Sequence, residues 1–139
     1  MKVTIQRING TALVGRGGSN HWVVMDGPED FGGFSAGTRP MEMILIGLAG
    51  CSAMDVLSIL QKKRVRLDDF SMRVEAERAE EHPKVFTKIH LHYVFTGSNI
   101  KPRDVERSIE LSQDKYCGAS AMLRKAAEIS HDYEIKEPE

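Results

Sequence analysis

Pro40-Met-Glu-Met-Ile-Leu-Ile-Gly-Leu-Ala-Gly-Cys51-Ser-Ala-Met-Asp55-Val-Leu57 is the stretch on which the fold turns. Proline is pre-shaped for a first helical turn, because its missing N–H is one the helix start does not use. From Pro40 the pattern predicts a helix to about Lys63, and the basic run Gln61-Lys-Lys-Arg64 suits the negative end of its dipole. Apolar residues surround nearly the whole first half, which predicts a buried helix rather than a surface one. The apolar run from Met43 to Met54 is about 12 residues, short of the roughly 20 that cross a bilayer, so no membrane partner is expected. Gly47 and Gly50 each cost about 1 kcal/mol relative to alanine inside a helix. With Ala49, Ser52 and Ala53 they form a ring of small side chains, which admits a close neighbouring backbone or a small substrate.

Short β-like alternations precede this helix at residues 2–7 and 11–15, around Asn9-Gly10, a dipeptide that favours a tight hairpin turn. His21 to Asp26 reads as a third strand, and the glycine-rich stretch Gly27 to Thr38 as a loop. After the helix, Phe70 to Glu77 alternates strictly, as does Val85 to Phe95, with Ile89, Leu91, Tyr93 and Phe95 on one face and His90 and His92 on the other. Helical spacing returns from Pro102 to Lys115 and from Gly118 to Ile129, and His131 to Lys136 reads as a last strand. The order βββ-α-ββ-αα-β predicts an α+β fold, and residues 1–139 read as a single domain.

A net charge of −1 leaves no electrostatic footprint for nucleic acid. The opening Met1-Lys-Val-Thr-Ile-Gln-Arg7 has no apolar core of the signal-peptide kind, so a cytoplasmic location is expected. In that reducing compartment a permanent disulfide is disfavoured, so the two cysteines are either inert core thiols or working ones. His90 and His92 have a spacing that can ligate zinc, but no third ligand is spaced near them in sequence, and no metal or other cofactor is expected.

Cys51 and Cys117 lie too far apart in sequence for a metal knuckle or a Cys-x-x-Cys turn, so only the fold can bring them together. Cys51 reads either as a small core residue or as a nucleophile reached through the ring of small side chains. Ser52 is a candidate hydrogen-bond donor to a thiolate, whereas Asp55, one turn on, works against thiolate formation. Cys117 directly precedes Gly118-Ala-Ser-Ala-Met-Leu123, which predicts a helix N-terminus, where free N–H groups favour a thiolate.

Pro40-x-Glu42 with Gly47-x-x-x-Cys51, and Lys115-Tyr-Cys117 downstream, resemble the OsmC/Ohr family of small thiol-dependent peroxidases. Gly50-Cys-Ser-Ala-Met-Asp-Val-Leu-Ser-Ile-Leu-Gln-Lys62, Ala76-Glu-Arg78 and His82-Pro-Lys-Val-Phe-Thr87 are similar to its YhfA-like branch. The resemblance implies an OsmC-like fold, a long central helix wrapped by curved antiparallel sheets in an intertwined homodimer. It also implies that Cys51 attacks an organic or small hydroperoxide, that Cys117 resolves the sulfenic acid to a disulfide, and that a dithiol reductant, of lipoyl type or another, reopens it. The family pairs its reactive thiolate with an arginine held by a glutamate right after the helix proline. Here that position is Met41, and the acid follows at Glu42, where a capping role at the third helical residue is the reading adopted. Arg16 and Arg39 are the candidate arginines. The alternative function is a non-enzymatic member of the fold that binds a small hydrophobic molecule or senses redox state.

Overall fold

The computed structural model describes residues 1–139 and divides into two compact units, Met1–Ile46 and Gly47–Glu139. The element order matches the expected one. Strands β1 (Thr4–Asn9), β2 (Ala12–Arg16) and β3 (Trp22–Met25) are followed by helix α1 (Pro40–Lys62), then by β4 (Asp69–Arg78) and β5 (Phe86–Thr96). Helices α2 (Pro102–Leu111) and α3 (Gly118–Leu123) and strand β6 (Glu128–Lys136) complete the chain.

In the first unit β1, β2 and β3 form an antiparallel meander. The hairpin turn lies one residue later than the sequence suggests, because Asn9 pairs with Ala12 and leaves Gly10 and Thr11 as the loop. Gly10 has φ +53°, and a side chain there would collide with the Gly32 carbonyl, which accepts the Thr11 N–H. The loop from Gly27 to Thr38 is organised around the buried carboxylate of Asp26. Its oxygens accept from Thr11 Oγ1 (2.9 Å) and from the backbone N–H groups of Gly27 (2.7 Å), Phe34 (2.9 Å) and Ala36 (3.2 Å).

Helix α1 starts where Pro40 predicts. Glu42 Oε1 accepts the backbone N–H of Arg39 at 2.9 Å, the capping contact expected at the third helical position. At its other end Arg64 adopts φ +59°, with Arg64 N–H bonded to Gln61 O and Val65 N–H to Leu60 O, the pairing that closes a helix C-terminus. By length and composition α1 is apolar enough to cross a membrane, whereas the sequence reading counted only the Met43 to Met54 run and judged it too short.

The burial of α1 differs from the expectation. Leu48, Ser52, Val56 and Leu60, one turn apart, are the helix's only buried residues. Ile44, Ile46, Met54 and Leu57 are exposed, Met54 at 74%. A single copy supplies cover for one stripe only, so an all-round apolar helix leaves its other faces bare.

In the second unit β5 is the central strand of the order β4-β5-β6, and its alternation places Ile89, Leu91, Tyr93 and Phe95 in the core. Val105 and Ile109 of α2 are buried with them. The β4–β5 pair is antiparallel, but β6 runs parallel to β5, which corrects the expected all-antiparallel sheets. A parallel partner needs a crossover connection, and here the crossover is helical. The parallel register also overturns the predicted helix to Ile129. Helix α3 stops at Leu123, and Ile129 lies in β6 opposite Ile89. Strand pairing with a buried neighbour overrides the local helical pattern. Beyond Leu111 the backbone widens into a π-helical turn, Ser112–Tyr116, where the sequence reads as plain α-helix.

Burial pushes the Asp26 carboxyl up, but its hydrogen bonds from Phe34, Ala36, Thr11 and Gly27 outweigh that and hold it below the ordinary carboxylate value. A lowered folded value stabilises fully above the unfolded value of about 3.9 and is lost as pH falls through the folded value. Trp22, the only tryptophan, reports on this unit by fluorescence. We expect Asp26→Asn to be less stable than wild type at neutral pH, with the gap closing below about pH 4.

Candidate functional site

Two α1 positions one turn apart, Cys51 and Asp55, share a helix face. Cys117 sits between the π turn and α3, where it caps α3: its Sγ accepts the Ser120 N–H at 3.4 Å. The fold brings all three together. Cys51 Sγ, Cys117 Sγ and a carboxylate oxygen of Asp55 lie within 4.8 Å of one another. Cys51 is half-buried and Cys117 is buried, and both are free thiols. A disulfide between them needs the sulfurs to close to about 2.05 Å.

Cys117 has the expected N-cap position but not the expected thiolate. Burial pushes its thiol up; hydrogen bonding from Ser120 pulls it down, and the neighbouring Cys51 raises it again, for a net upward shift. Helix α3 is only 6 residues long, too short for its dipole to overcome desolvation.

Behind the thiols lies a fully paired polar cluster. Ser52 Oγ is 2.6 Å from Tyr93 Oη and 3.1 Å from Ser112 Oγ. Gln113 Nε2 donates to Ser52 Oγ (3.0 Å) and to Tyr93 Oη (3.2 Å), and Ser120 Oγ donates to Gln113 Oε1 (3.0 Å). Ser112 Oγ donates to Asp55 Oδ2 at 3.1 Å. The direction of the chain follows from counting protons. A hydroxyl has one proton to give, and that of Ser112 goes to Asp55 Oδ2. Ser52 must therefore donate to Ser112, and Tyr93 must donate to Ser52. The run Tyr93→Ser52→Ser112→Asp55 is thus oriented from the core toward the thiols. Burial raises the Tyr93 phenol, offset in part by the Ser52 and Gln113 contacts and reinforced by Cys117 and Asp55, which keeps it a donor at neutral pH.

Ser52 does not play the part expected of it. Its one proton is committed to Ser112 and its oxygen accepts from Tyr93 and Gln113, so nothing remains to donate to a Cys51 thiolate. Arg39 directs its guanidinium to Asp26 O (3.1 Å), Gly37 O (3.3 Å) and Ser35 Oγ (3.2 Å). Arg16 bonds Asn20 Oδ1 at 2.9 Å and lies 4.7 Å over the Trp22 ring. Glu42 caps α1.

Sequence reading missed Tyr93, Ser112, Gln113 and Ser120. Their signal was polar character at inward positions: Ser108 and Ser112 continue the buried face of Val105 and Ile109. The consecutive burial of Ser112 and Gln113 depends on the widened π turn, which no spacing rule anticipates. Sequence spacing also missed a neighbour of the paired histidines. The parallel register sets β6 beside them, and Asp132 Oδ1 lies 3.0 Å from His90 Nε2 and 2.6 Å from His92 Nδ1. Hydrogen bonding from His92 is the main cause that lowers the Asp132 carboxyl, and this exposed group is paired rather than open to a ligand.

A half-buried thiol facing a buried one across a carboxylate, on an α+β fold of two three-stranded sheets, defines a small dithiol protein. A family model described as OsmC-like protein matches residues 32–132. Protein YhfA of Escherichia coli K12 is 40% identical over 135 residues, which span 97% of this chain and 98% of that protein. The crystal structure of a hypothetical protein from Aquifex aeolicus VF5 superposes with TM-score 0.86 at 27% identity, covering 99% of this chain and 97% of the other. An organic hydroperoxide resistance protein OsmC from Legionella pneumophila shares the fold, with TM-score 0.69 at 16% identity over 96% of each chain. The chain belongs to the OsmC-like protein family.

Removing the phenolic hydroxyl tests the polar chain. Tyr93→Phe leaves Ser52 Oγ short of one donor and Gln113 Nε2 short of one acceptor, both buried. We expect a loss of about 1–3 kcal/mol in urea unfolding, against a near-neutral effect if the hydroxyl were idle.

Proposed function

We propose that the chain is a thiol-dependent peroxidase of oxidative-stress defence, acting on organic or small hydroperoxides as a single OsmC-like domain over residues 1–139. The observation that carries this reading is the unequal pair of thiols within 4.8 Å, Cys51 half-buried and Cys117 buried with a raised pKa. Access assigns the order of events. Cys51 meets the peroxide; its thiolate attacks the O–O bond and becomes a sulfenic acid, while the alkoxide leaving group takes a proton and departs as an alcohol. Cys117, held protonated until needed, attacks the Cys51 sulfur and displaces water, forming the Cys51–Cys117 disulfide. The Asp55 carboxylate, beside both sulfurs, is placed to accept the Cys117 proton in that step. A dithiol reductant then exchanges its two thiols for the disulfide and restores both cysteines.

The exposed apolar residues of α1 support a homodimer. Ile44, Ile46, Met54 and Leu57 leave one copy with bare helix faces, and a second copy of the chain is the natural cover. That cover accounts for an apolar helix without a bilayer, and Asp55, hydrogen-bonded by Ser112 midway along it, suits a protein interior better than lipid. The proposal includes a cytoplasmic location, where a reducing environment returns thiols to their reduced form. In sedimentation we expect a dimer, and Met54→Glu with Ile46→Glu to shift it toward monomer; a wild-type monomer at micromolar concentration would contradict this.

Treating the reduced protein with a small excess of tert-butyl hydroperoxide tests the chemistry. Wild type should lose two hydrogens by intact mass and both free thiols. Cys117→Ser should trap a sulfenic acid at Cys51, and Cys51→Ser should leave Cys117 unoxidised. Unchanged wild-type thiols would sink the peroxidase reading in favour of a non-enzymatic binder of a small hydrophobic molecule.

A further inference from the structure

We propose that, in the reduced protein, Cys51, Cys117 and Asp55 form a binding site for a thiophilic divalent cation, with zinc as the type ion. Two sulfurs and a carboxylate oxygen within 4.8 Å of one another are a borderline-soft donor set of the kind zinc takes. Around a tetrahedral zinc, bond lengths of about 2.3 Å to sulfur and 2.0 Å to oxygen put the donor atoms about 3.5–3.8 Å apart. The three groups therefore need only contract slightly around an ion. All three belong to one compact unit, so the site is complete within one copy.

The supporting hydrogen bonds are already in place. Metal-ligating carboxylates are held by outer partners, and Asp55 Oδ2 accepts from Ser112 Oγ at the end of the oriented hydroxyl chain. Cys117 Sγ accepts the Ser120 N–H. The charge balance is equally direct. Three groups that are anionic when deprotonated converge, and Asp55 takes part in none of the chain's ion pairs. A dication satisfies all three at once. Binding exchanges two S–H bonds for two metal–sulfur bonds and one metal–oxygen bond and releases two protons to solvent; no electron moves. Three protein ligands leave a fourth position for water, as in open rather than closed zinc sites. The bound ion masks both thiols, so oxidation to the disulfide and metal binding exclude each other.

The test uses the reduced, tag-free full chain and no peroxide, so its failure and that of the peroxidase reading are separate results. Titration with cobalt(II) should produce a thiolate-to-cobalt charge-transfer band with tetrahedral visible bands, saturating at one ion per chain and lost on adding zinc. Cys51→Ser should abolish the charge-transfer band or cut it sharply. Asp55→Asn, which keeps an acceptor for Ser112 but removes a ligand, should weaken affinity by at least the roughly 10–100-fold that loss of an outer partner costs. His90→Gln should change nothing, and circular dichroism should show each variant folded. Absence of the band in wild type, or a band indifferent to Cys51→Ser, would overturn the proposal.

Discussion

A carboxylate accepts hydrogen bonds and cannot give them, and in this chain that fact orders the core of the second unit. Because Asp55 takes the Ser112 proton, Ser112 must be fed by Ser52 and Ser52 by Tyr93. Gln113 satisfies what remains of Ser52 and Tyr93, and is itself held by Ser120 and, through its carbonyl, by Arg124. No buried side-chain nitrogen or oxygen is left unpaired. A buried polar cluster is tolerated only in that condition, since each orphaned group costs about 1–3 kcal/mol. The cluster ties α1, β5, the π turn and α3 together, and those elements carry Cys51 and Cys117. The two thiols come together on the elements this cluster joins.

The same arrangement makes the two thiols unequal. Ser120 is shared: its hydroxyl serves Gln113, while its N–H serves the Cys117 sulfur. Cys117 is thereby pinned in the interior, where desolvation favours its neutral form, while Cys51 stands half-open on the helix. A carboxylate facing two thiols is poor company for a thiolate and good company for a cation or a departing proton. In its own unit the Arg39 guanidinium is directed to the carbonyls of Asp26 and Gly37 and to Ser35.

Much of the fold was legible because its signals are local. Pro40 and Glu42 announce the start of α1, strict alternation announces β4 and β5, and the element order follows. What escaped was set by partners distant in sequence. Ile129 has helical spacing yet pairs with Ile89 in a parallel register, and that register alone sets Asp132 beside His90 and His92. The π turn that buries Ser112 and Gln113 side by side costs no residue that spacing would notice. In the site, both cysteines could be picked out by type and context, but Ser52 was misjudged because its competitors for hydrogen bonds, Tyr93 and Gln113, lie on other elements. The bare faces of α1 show the remaining limit: an all-round apolar helix signals burial without saying which chain supplies the cover.

The central claim is that one chain holds Cys51 and Cys117 within bonding reach. Peptide mapping of the oxidised protein, prepared as an equal mixture of isotopically light and heavy chains, tests it most directly. The account predicts a Cys51–Cys117 cross-link in which both peptides are light or both heavy. Mixed light–heavy pairs at the statistical level, or oxidised cysteines that are never linked to each other, would contradict it.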